Sequence, residues 1–381
     1  MRRPPSVVPV TADDYRRLAA RRLPRFLFDY VDGGAGDEQT LAANRGDFAA
    51  YRLQQRVMRD VSQVDTGSSL CGRPVALPVA LAPIGMAGMM AQRGEVQAAR
   101  AAATAGVPFS LSTVGICGVE EVNAAIPEPC WFQLYMLRDR GLVESLLERA
   151  ATAGCDTLLF TVDLPVAGSR HRDRQAGMLG GAPLAKLRQL LARPRWLLDV
   201  AVKGKPHCFA HLAEAVADPN DLNSFRQFVD EQFDPGVTWR DIEWLRGKWG
   251  GRLAIKGVMT AEDASAAADC GADAVVVSNH GGRQLDAVAS SIRKLPEVVH
   301  AVGDRLEVLM DGGVRSGPDV IKALALGARG VLIGRPWVWA LAARGEAGVI
   351  DYLATLRRDI ATSMALMGVN RIEEITADLL E

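Results

Sequence analysis

A histidine, two glycines and an arginine occur within four positions in residues 278–286, which read SNHGGRQLD. The imidazole of His280 can exchange a proton near neutral pH, and the guanidinium of Arg283 can bind a carboxylate through two parallel hydrogen bonds. The glycines between them let the backbone approach a bound molecule closely. The pattern indicates acid–base chemistry on a small carboxylic acid. The alternative is a polar turn in which His280 is hydrogen-bonded locally.

Two further ionisable side chains suit the same chemistry. Asp163 comes at the end of an apolar run, and Arg170 follows seven residues later. A carboxylate near His280 would stabilise the imidazolium, and Arg170 could join Arg283 in holding the acid. The alternatives are that Asp163 caps a helix or turn and that either arginine forms a surface salt bridge.

Two glycine-rich segments near the C-terminus indicate a phosphate site. Residues 311–317 read DGGVRSG, and Gly334 with Arg335 follows the last apolar run. Exposed backbone N–H groups and a helix N-terminus attract anions, and arginine adds charge-assisted hydrogen bonds. The alternative is a pair of turns that close the fold.

Lys256 ends an otherwise apolar run, where an unpaired ammonium would be costly to bury. It could offset negative charge on a cofactor or substrate, or form a Schiff base. Ser112, Gln133 and Thr161 add hydrogen-bonding groups at the ends of other runs. Together with the phosphate site, these groups favour a bound flavin ring.

Eight short apolar runs, most of them separated by helical patterns, position these residues. They span residues 79–83, 109–113, 131–135, 157–163, 253–257, 274–277, 307–311 and 331–334. The repeat predicts a parallel sheet closed into a (β/α)₈ TIM barrel, in which chemistry is found at the C-terminal ends of the strands. A doubly wound open sheet is the competitor, but no N-terminal GxGxxG supports it.

We predict a single domain, 1–381, with three parts. The barrel extends from about residue 78 to 381, and a helical extension from about 11 to 50 precedes it. An excursion of about 171–238 follows the fourth run and is too long for an ordinary barrel loop. In it, residues 183–198 alternate leucines with cations and contain Trp196, a pattern typical of a membrane-interface segment. A lid or a subunit contact is the alternative.

The composition excludes several classes of protein. A net charge of −1 over 381 residues does not support nucleic-acid binding. The six scattered cysteines lack CxxC pairs and predict buried thiols in a reducing compartment, and we predict no metal site. No stretch reaches the ~20 apolar residues that a membrane span requires.

The motif SNHGGRQLD after a valine-rich strand resembles the signature of the FMN-dependent L-2-hydroxy acid dehydrogenase/oxidase family. WFQLY, TVDLPVAGSRHRD, IKG, DGGVRSG and GVLIGRP match that family in the same order, over nearly the whole chain. LPRFLFDYVDGGA, RGEVQAA and FDPGVTWRDIEWLR are most similar to its respiratory bacterial L-lactate dehydrogenases.

The resemblance implies a role for each matching residue. His280 would be the catalytic base, with Asp163 as its partner, and Tyr30 and Tyr135 would take part in catalysis. Substrate would be bound by Tyr30, Tyr135, Arg170 and Arg283. The flavin ring would contact Pro83, Ile84, Gly85, Ser112, Gln133, Thr161, Lys256 and Ser278. Its phosphate would contact Asp311, Gly312, Gly313, Arg315, Gly334 and Arg335.

The resemblance further implies that FMN oxidises L-lactate to pyruvate and passes electrons to a quinone or the respiratory chain. It implies a homotetramer. The quinone acceptor and residues 183–198 together predict peripheral attachment to the cytoplasmic side of the inner membrane, and a cytoplasmic protein is the alternative. Alternatives are an (S)-mandelate dehydrogenase, another L-2-hydroxy acid oxidase, or a non-catalytic barrel that binds a phosphorylated ligand. Whether His280 removes the α-proton or the hydroxyl proton stays open.

Two positions depart from the glycolate oxidase pattern. Val114 replaces a tryptophan that follows the LSS-type motif, and Gly85 replaces an alanine beside the flavin. The resemblance therefore favours a dehydrogenase over a dedicated oxidase.

Overall fold

A computed structural model describes residues 8–178, 183–216 and 231–381. A short antiparallel hairpin comes first and consists of β1 (Ser68–Leu70) and β2 (Arg73–Val75). The central sheet follows, with strands β3 (Val79–Leu81), β4 (Ser110–Ser112), β5 (Trp131–Leu134), β6 (Thr157–Thr161), β7 (Arg252–Val258), β8 (Ala274–Val277), β9 (Glu307–Asp311) and β10 (Gly330–Ile333).

The central sheet closes on itself, which confirms the predicted barrel. Its eight strands are parallel and paired in chain order, and β10 pairs with β3. A parallel bridge between Leu81 and Phe109 joins β3 to the residue preceding β4. The C-terminal ends of all eight strands therefore lie at the same end of the barrel.

Helices surround the barrel and build the N-terminal extension. They are α1 (Ala12–Arg22), α2 (Arg25–Asp32), α3 (Gln39–Gly46), α4 (Gly94–Ala105), α5 (Val119–Asn123), α6 (Arg140–Thr152), α7 (His171–Gln175), α8 (Pro183–Leu191), α9 (Pro194–Trp196), α10 (Trp239–Lys248), α11 (Ala261–Asp269), α12 (Ser291–Val302), α13 (Gly317–Ala325) and α14 (Arg335–Met367). Short 3₁₀ turns occur at Asp47–Ala50, Ala87–Met89, Ala213–Ala215, Ile372–Glu374 and Ala377–Leu379, and a π-helical turn at Leu197–Val202.

The hairpin closes the N-terminal end of the barrel. Leu70 and Val75 belong to the same buried cluster as the inward-facing Trp131 of β5. A Cβ atom at Gly330, the first residue of β10, would lie 2.5 Å from Leu70 Cδ2. With one end filled in this way, the mouth at the C-terminal strand ends is the place for a ligand.

The N-terminal extension packs across that mouth. In α1, the ring of Tyr15 meets the ring of Tyr352 edge to face, with centroids 6.0 Å apart. In α3, Asn44 exchanges two side-chain hydrogen bonds with Asn279, at 2.7 and 2.9 Å, and accepts a third from the Ser291 backbone N–H at 3.2 Å. The amide pair attaches the extension to the loop that carries His280.

We expect Asn44→Ala to lower the free energy of unfolding by about 1–3 kcal/mol, because it leaves buried polar groups of Asn279 and Ser291 without their partner. Urea denaturation of wild type and variant measures the difference. Gln39→Ala, at an exposed position of the same helix, is the control and should change little. Equal stability of Asn44→Ala and wild type would contradict this account of the attachment.

Candidate active site

A cavity of about 470 Å³ opens at the C-terminal ends of the strands, within the size range of small-molecule sites. It brings together most of the residues predicted from the sequence. Those that line it are Tyr30, Pro83, Ile84, Gly85, Tyr135, Arg170, Lys256, His280, Arg283, Asp311, Gly312, Gly313, Arg315, Gly334 and Arg335. Ser112, Gln133, Thr161 and Ser278 are buried at neighbouring strand ends, and Asp163 is in direct contact with His280.

His280 and Asp163 form a hydrogen-bonded pair, with 2.9 Å between His280 Nδ1 and Asp163 Oδ1. The backbone of His280 is left-handed (φ +57°), and its N–H donates to Ser278 Oγ at 3.1 Å. A Cβ atom at Gly257 would lie 2.7 Å from Asp163 Cβ, so only glycine lets the carboxylate take this position. In this arrangement Nδ1 carries the proton and donates it in a hydrogen bond to Asp163, and Nε2 is the nitrogen that can accept a proton.

Burial keeps the imidazole of His280 neutral, in the form that can accept a proton. Burial lowers the pKa of His280 below its usual value, although Asp163 acts in the opposite direction. Burial raises the pKa of Asp163, but the combined effects of His280 and Lys256 leave it below its usual value. At neutral pH the imidazole is therefore neutral beside an ionised carboxylate.

Lys256 is buried with two polar partners. Its Nζ lies 3.0 Å from Asp311 Oδ2 and 3.0 Å from Ser278 Oγ. Burial lowers the pKa of Lys256, but Asp311 and Asp163 together raise it by more. The net shift of the pKa is upward, and the ammonium stays charged. A permanently charged amine does not favour the Schiff-base alternative.

Two guanidiniums face the cavity near His280. Arg283 Nη1 donates to the carbonyls of Tyr30 (2.5 Å) and Gly33 (2.9 Å), and its guanidinium carbon lies 5.0 Å from the centre of the Tyr30 ring. Burial, together with the charge of Arg170, lowers the pKa of Arg283 to about 10, which leaves it charged at neutral pH. The two arginines form a cationic site for a carboxylate.

Tyr135 lies beside them and keeps its hydroxyl proton, because burial and the nearby Asp163 raise its pKa. Its ring packs against Phe233, with centroids 5.1 Å apart. Phe233 also lines the cavity, as do several earlier residues of the excursion. Sequence analysis did not identify Phe233 as a site residue, since a lone phenylalanine carries no chemical signal.

Several buried polar atoms at the strand ends fit a heterocycle with alternating donors and acceptors. Ser112 Oγ donates to Gln133 Oε1 at 3.0 Å, which orients the Gln133 amide. Gln133 Nε2, Thr161 Oγ1 and Asp311 Oδ1 are buried without a partner in the described residues. Such atoms are costly to leave unsatisfied, so they agree with a bound flavin ring.

The segment after β9 fits a phosphate. Arg315 is partly buried, its buried Nε atom has no partner among the described residues, and its guanidinium carbon lies 5.0 Å from the Trp339 ring centre. Gly313 has φ +86°, and a Cβ atom there would lie 1.8 Å from the Asn44 carbonyl oxygen. Glycine is therefore required for this loop to fit beneath the N-terminal extension.

Arg335 has a contact that sequence analysis did not identify. Its guanidinium donates to the carbonyls of Val31 (3.0 Å), Gly33 (2.8 Å) and Gly281 (2.8 Å). It thus joins the N-terminal extension to the His280 loop while it lines the cavity. Burial, with the charges of Arg283 and Arg315, lowers its pKa.

The charges that line the cavity do not balance among the described residues. Six are cationic, namely Arg170, Lys186, Lys256, Arg283, Arg315 and Arg335, whereas two are acidic, namely Asp173 and Asp311. A phosphate and a substrate carboxylate would supply the missing negative charge. The residues present therefore fit FMN and a small acid.

The positions of Gly85 and Val114 are coupled. A Cβ atom at Gly85 would lie 2.7 Å from Val114 Cγ2 and 3.3 Å from Tyr30 Oη. The two departures from the glycolate oxidase pattern therefore lie against each other at one wall of the cavity.

The excursion covers one side of the cavity with α8. Lys186 and Leu190 line the cavity, and the outer face exposes Leu184, Leu187 and Leu191. Residues 179–182 and 217–230 of the predicted excursion lie outside the described residues. Both the inner and the outer face of α8 therefore carry apolar side chains.

The prediction that Trp196 lies in a membrane interface is wrong. Its side chain is 2% exposed, and its indole N–H donates to the Met89 carbonyl at 2.8 Å. Arg193, expected on the same surface, donates to the carbonyls of Leu23 (2.9 Å) and Ala20 (3.3 Å). Both residues fasten the excursion to the rest of the chain.

Comparison with known proteins identifies close relatives. The family described as FMN-dependent dehydrogenase matches residues 19–381. L-lactate dehydrogenases of Caulobacter sp. (strain K31) and Caulobacter vibrioides (strain NA1000 / CB15N) are 54% and 56% identical over 368 residues. The matches cover 96% of this chain and 97% and 96% of those proteins, respectively.

Solved structures with the same fold act on another acid. A monotopic membrane protein, (S)-mandelate dehydrogenase, is 34% identical with a TM-score of 0.94, over 98% of this chain and 100% of that chain. A mandelate oxidase is 37% identical with a TM-score of 0.83, over 98% of each chain.

We expect Asp163→Asn to lower the pKa of His280 further, because the carboxylate that raises it is removed while a hydrogen-bond acceptor stays in place. NMR titration of the imidazole resonances measures the shift. His211 is an internal control: it is buried against the Thr113 carbonyl at 3.1 Å, and burial lowers its pKa to about 4. An unchanged or raised pKa of His280 would contradict the proposed pairing.

Proposed function

We propose that this protein, which belongs to the FMN-dependent dehydrogenase family, oxidises L-lactate to pyruvate and passes the electrons to a quinone or the respiratory chain. Family membership confirms the predicted enzyme class and FMN as the cofactor. The observation that carries the proposal is the His280–Asp163 pair in one cavity with Arg170 and Arg283. A base and a carboxylate site so arranged suit a 2-hydroxy acid.

FMN would be held by the residues that the sequence predicted. The ring would contact Pro83, Ile84, Gly85, Ser112, Gln133, Thr161, Lys256 and Ser278, and the phosphate Asp311, Gly312, Gly313, Arg315, Gly334 and Arg335. Bound FMN supplies an acceptor for the two electrons of the substrate. The charged Lys256 would offset negative charge that develops there.

The remaining side chains act on the substrate. Arg283 and Arg170 bind its carboxylate through charge-assisted hydrogen bonds. Tyr30 and Tyr135 contact its oxygens, and Tyr135 keeps the proton that such a hydrogen bond needs. His280 accepts one proton at Nε2, and Asp163 stabilises the resulting imidazolium. His280 has this role whether the proton leaves the α-carbon or the hydroxyl group.

We propose L-lactate rather than mandelate as the substrate, because the relatives named L-lactate dehydrogenase are 54% and 56% identical to this chain. Mandelate is the second candidate substrate, because an (S)-mandelate dehydrogenase is 34% identical to this chain. The two proposals predict different rates with the same holoenzyme.

Anaerobic bleaching of bound FMN tests the substrate and the base together. We expect L-lactate to bleach the flavin faster than D-lactate, glycolate or (S)-mandelate. His280→Ala should retain FMN but react about 10²–10⁴-fold more slowly, because it lacks the general base. Bleaching by (S)-mandelate alone would exclude lactate, and a near-normal rate in His280→Ala would exclude His280 as the base.

We also propose peripheral attachment to the cytoplasmic side of the inner membrane, and a homotetramer. Among the described residues, none of the helices combines the length and apolar character needed to cross a membrane. Attachment is supported by the outer face of α8, where Leu184 and Leu191 are both 63% exposed and Arg188 is also exposed. The related (S)-mandelate dehydrogenase is described as a monotopic membrane protein.

We expect the double variant Arg188→Gln/Arg195→Gln to bind anionic vesicles at least tenfold more weakly, because each cation near such a surface adds about 1 kcal/mol. Both side chains are exposed, so the fold and lactate-dependent dye reduction should be unaffected. Co-sedimentation at low and high salt measures binding.

Arg100→Gln/Arg358→Gln removes two exposed cations far from α8 in the sequence and serves as the control. If wild-type protein fails to co-sediment at low salt, α8 is a lid or a subunit contact instead.

A further inference from the structure

We propose that Gln284 is a positioning residue for this reaction: its side-chain amide holds residues 163–170 so that Asp163 and Arg170 reach the site together. This inference rests on the proposed function. Residues 163–170 follow β6 and contain neither helix nor strand, so their conformation depends on contacts from elsewhere. The segment begins at the partner of His280 and ends at an arginine of the carboxylate site.

The Gln284 side chain makes four hydrogen bonds to that one segment. Its Nε2 donates to the carbonyls of Asp163 (2.9 Å) and Val166 (3.1 Å). Its Oε1 accepts from the Gly168 backbone N–H (3.3 Å) and from Arg170 Nη2 (3.1 Å). One amide thus contacts both ends and the middle of the segment.

These contacts use the full capacity of the group. A primary amide has two donor hydrogens and an oxygen with two lone pairs, and all of them are engaged here. The two carbonyl partners require the nitrogen, whereas the N–H of Gly168 and the guanidinium require the oxygen. The amide therefore has one favourable orientation, and no other residue type of similar size reproduces it.

The backbone around Gln284 supports the same placement. Arg170 Nε donates to the Arg283 carbonyl at 3.2 Å, which attaches the arginine to the residue before Gln284. A Cβ atom at Gly168 would lie 2.3 Å from the Arg283 carbonyl oxygen and 2.8 Å from Gln284 Cα. The segment therefore lies directly on the backbone of the His280 loop, and only glycine allows this approach.

The arrangement couples two functions. If the amide is lost, Arg170 loses one hydrogen bond and can leave the position in which it assists Arg283. The backbone of Asp163 also loses an anchor, and its carboxylate can move away from His280 Nδ1. Both substrate affinity and the basicity of His280 should then change, whereas none of the four hydrogen bonds of Gln284 goes to a residue that would hold FMN.

Gln284→Met tests the inference, because it keeps the size of the side chain and removes all four hydrogen bonds. We expect kcat/KM for L-lactate to fall at least tenfold, with a raised KM and retained FMN, as for loss of a hydrogen bond to a charged group. We also expect the acid limb of the kcat/KM pH profile to move to lower pH. Asp163 then raises the pKa of His280 less, and this loss exceeds the smaller opposite effect of a displaced Arg170. A change in fold stability alone would leave that limb in place.

Gly168→Ala should lower kcat/KM and move the acid limb in the same way, because its added methyl group displaces residues 163–170 from Gln284. This variant tests the inference if Gln284→Met does not fold. Leu285→Ala, at the adjacent position that is 70% exposed, is the matched control and should resemble wild type. A kcat/KM for Gln284→Met within twofold of wild type, or an unmoved acid limb, would overturn the inference. If wild type prefers another 2-hydroxy acid, the proposed function fails, and the same ratios measured with that acid still test Gln284.

Discussion

An excess of positive charge at the mouth of the barrel is the constraint on which the rest of the structure depends. Six cations and two carboxylates line the cavity among the described residues. Burial and mutual repulsion lower the pKa of Arg283 to about 10 and lower that of Arg335 as well. Bound anions would offset this charge, which fits a phosphorylated cofactor and a carboxylic acid as the occupants of the site.

The same guanidiniums also hold the chain together. Arg283 and Arg335 donate to the carbonyls of Tyr30, Val31 and Gly33, so the N-terminal extension is attached through the residues that face the ligands. Tyr30 enters the cavity as a consequence. Binding and folding are therefore coupled, since the extension and the His280 loop are positioned by shared groups.

Sequence analysis predicted the fold and part of the site because polar groups recur at strand ends, where apolar runs give way to His280, Lys256 or Asp311. Other site residues, such as Tyr30 and Gly85, were predicted through the family resemblance. It could not predict the partners. That Arg335 bonds three carbonyls, or that Gln284 spans residues 163–170, depends on which loops meet in space. Trp196 was misassigned because a tryptophan among leucines and cations indicates an interface and a core contact equally well. The roles of the site residues and the single-domain assignment stay predictions.

Binding of FMN and riboflavin to the apoprotein tests the central claim most directly, because the two flavins share the ring and differ in the phosphate. Fluorescence titration gives both dissociation constants. We predict that FMN binds about 100-fold more tightly, as expected when charge-assisted hydrogen bonds to Arg315 and its neighbours are added, with a difference that shrinks at high salt. Equal affinity for the two flavins would contradict the claim that the cations at the barrel mouth bind the phosphate.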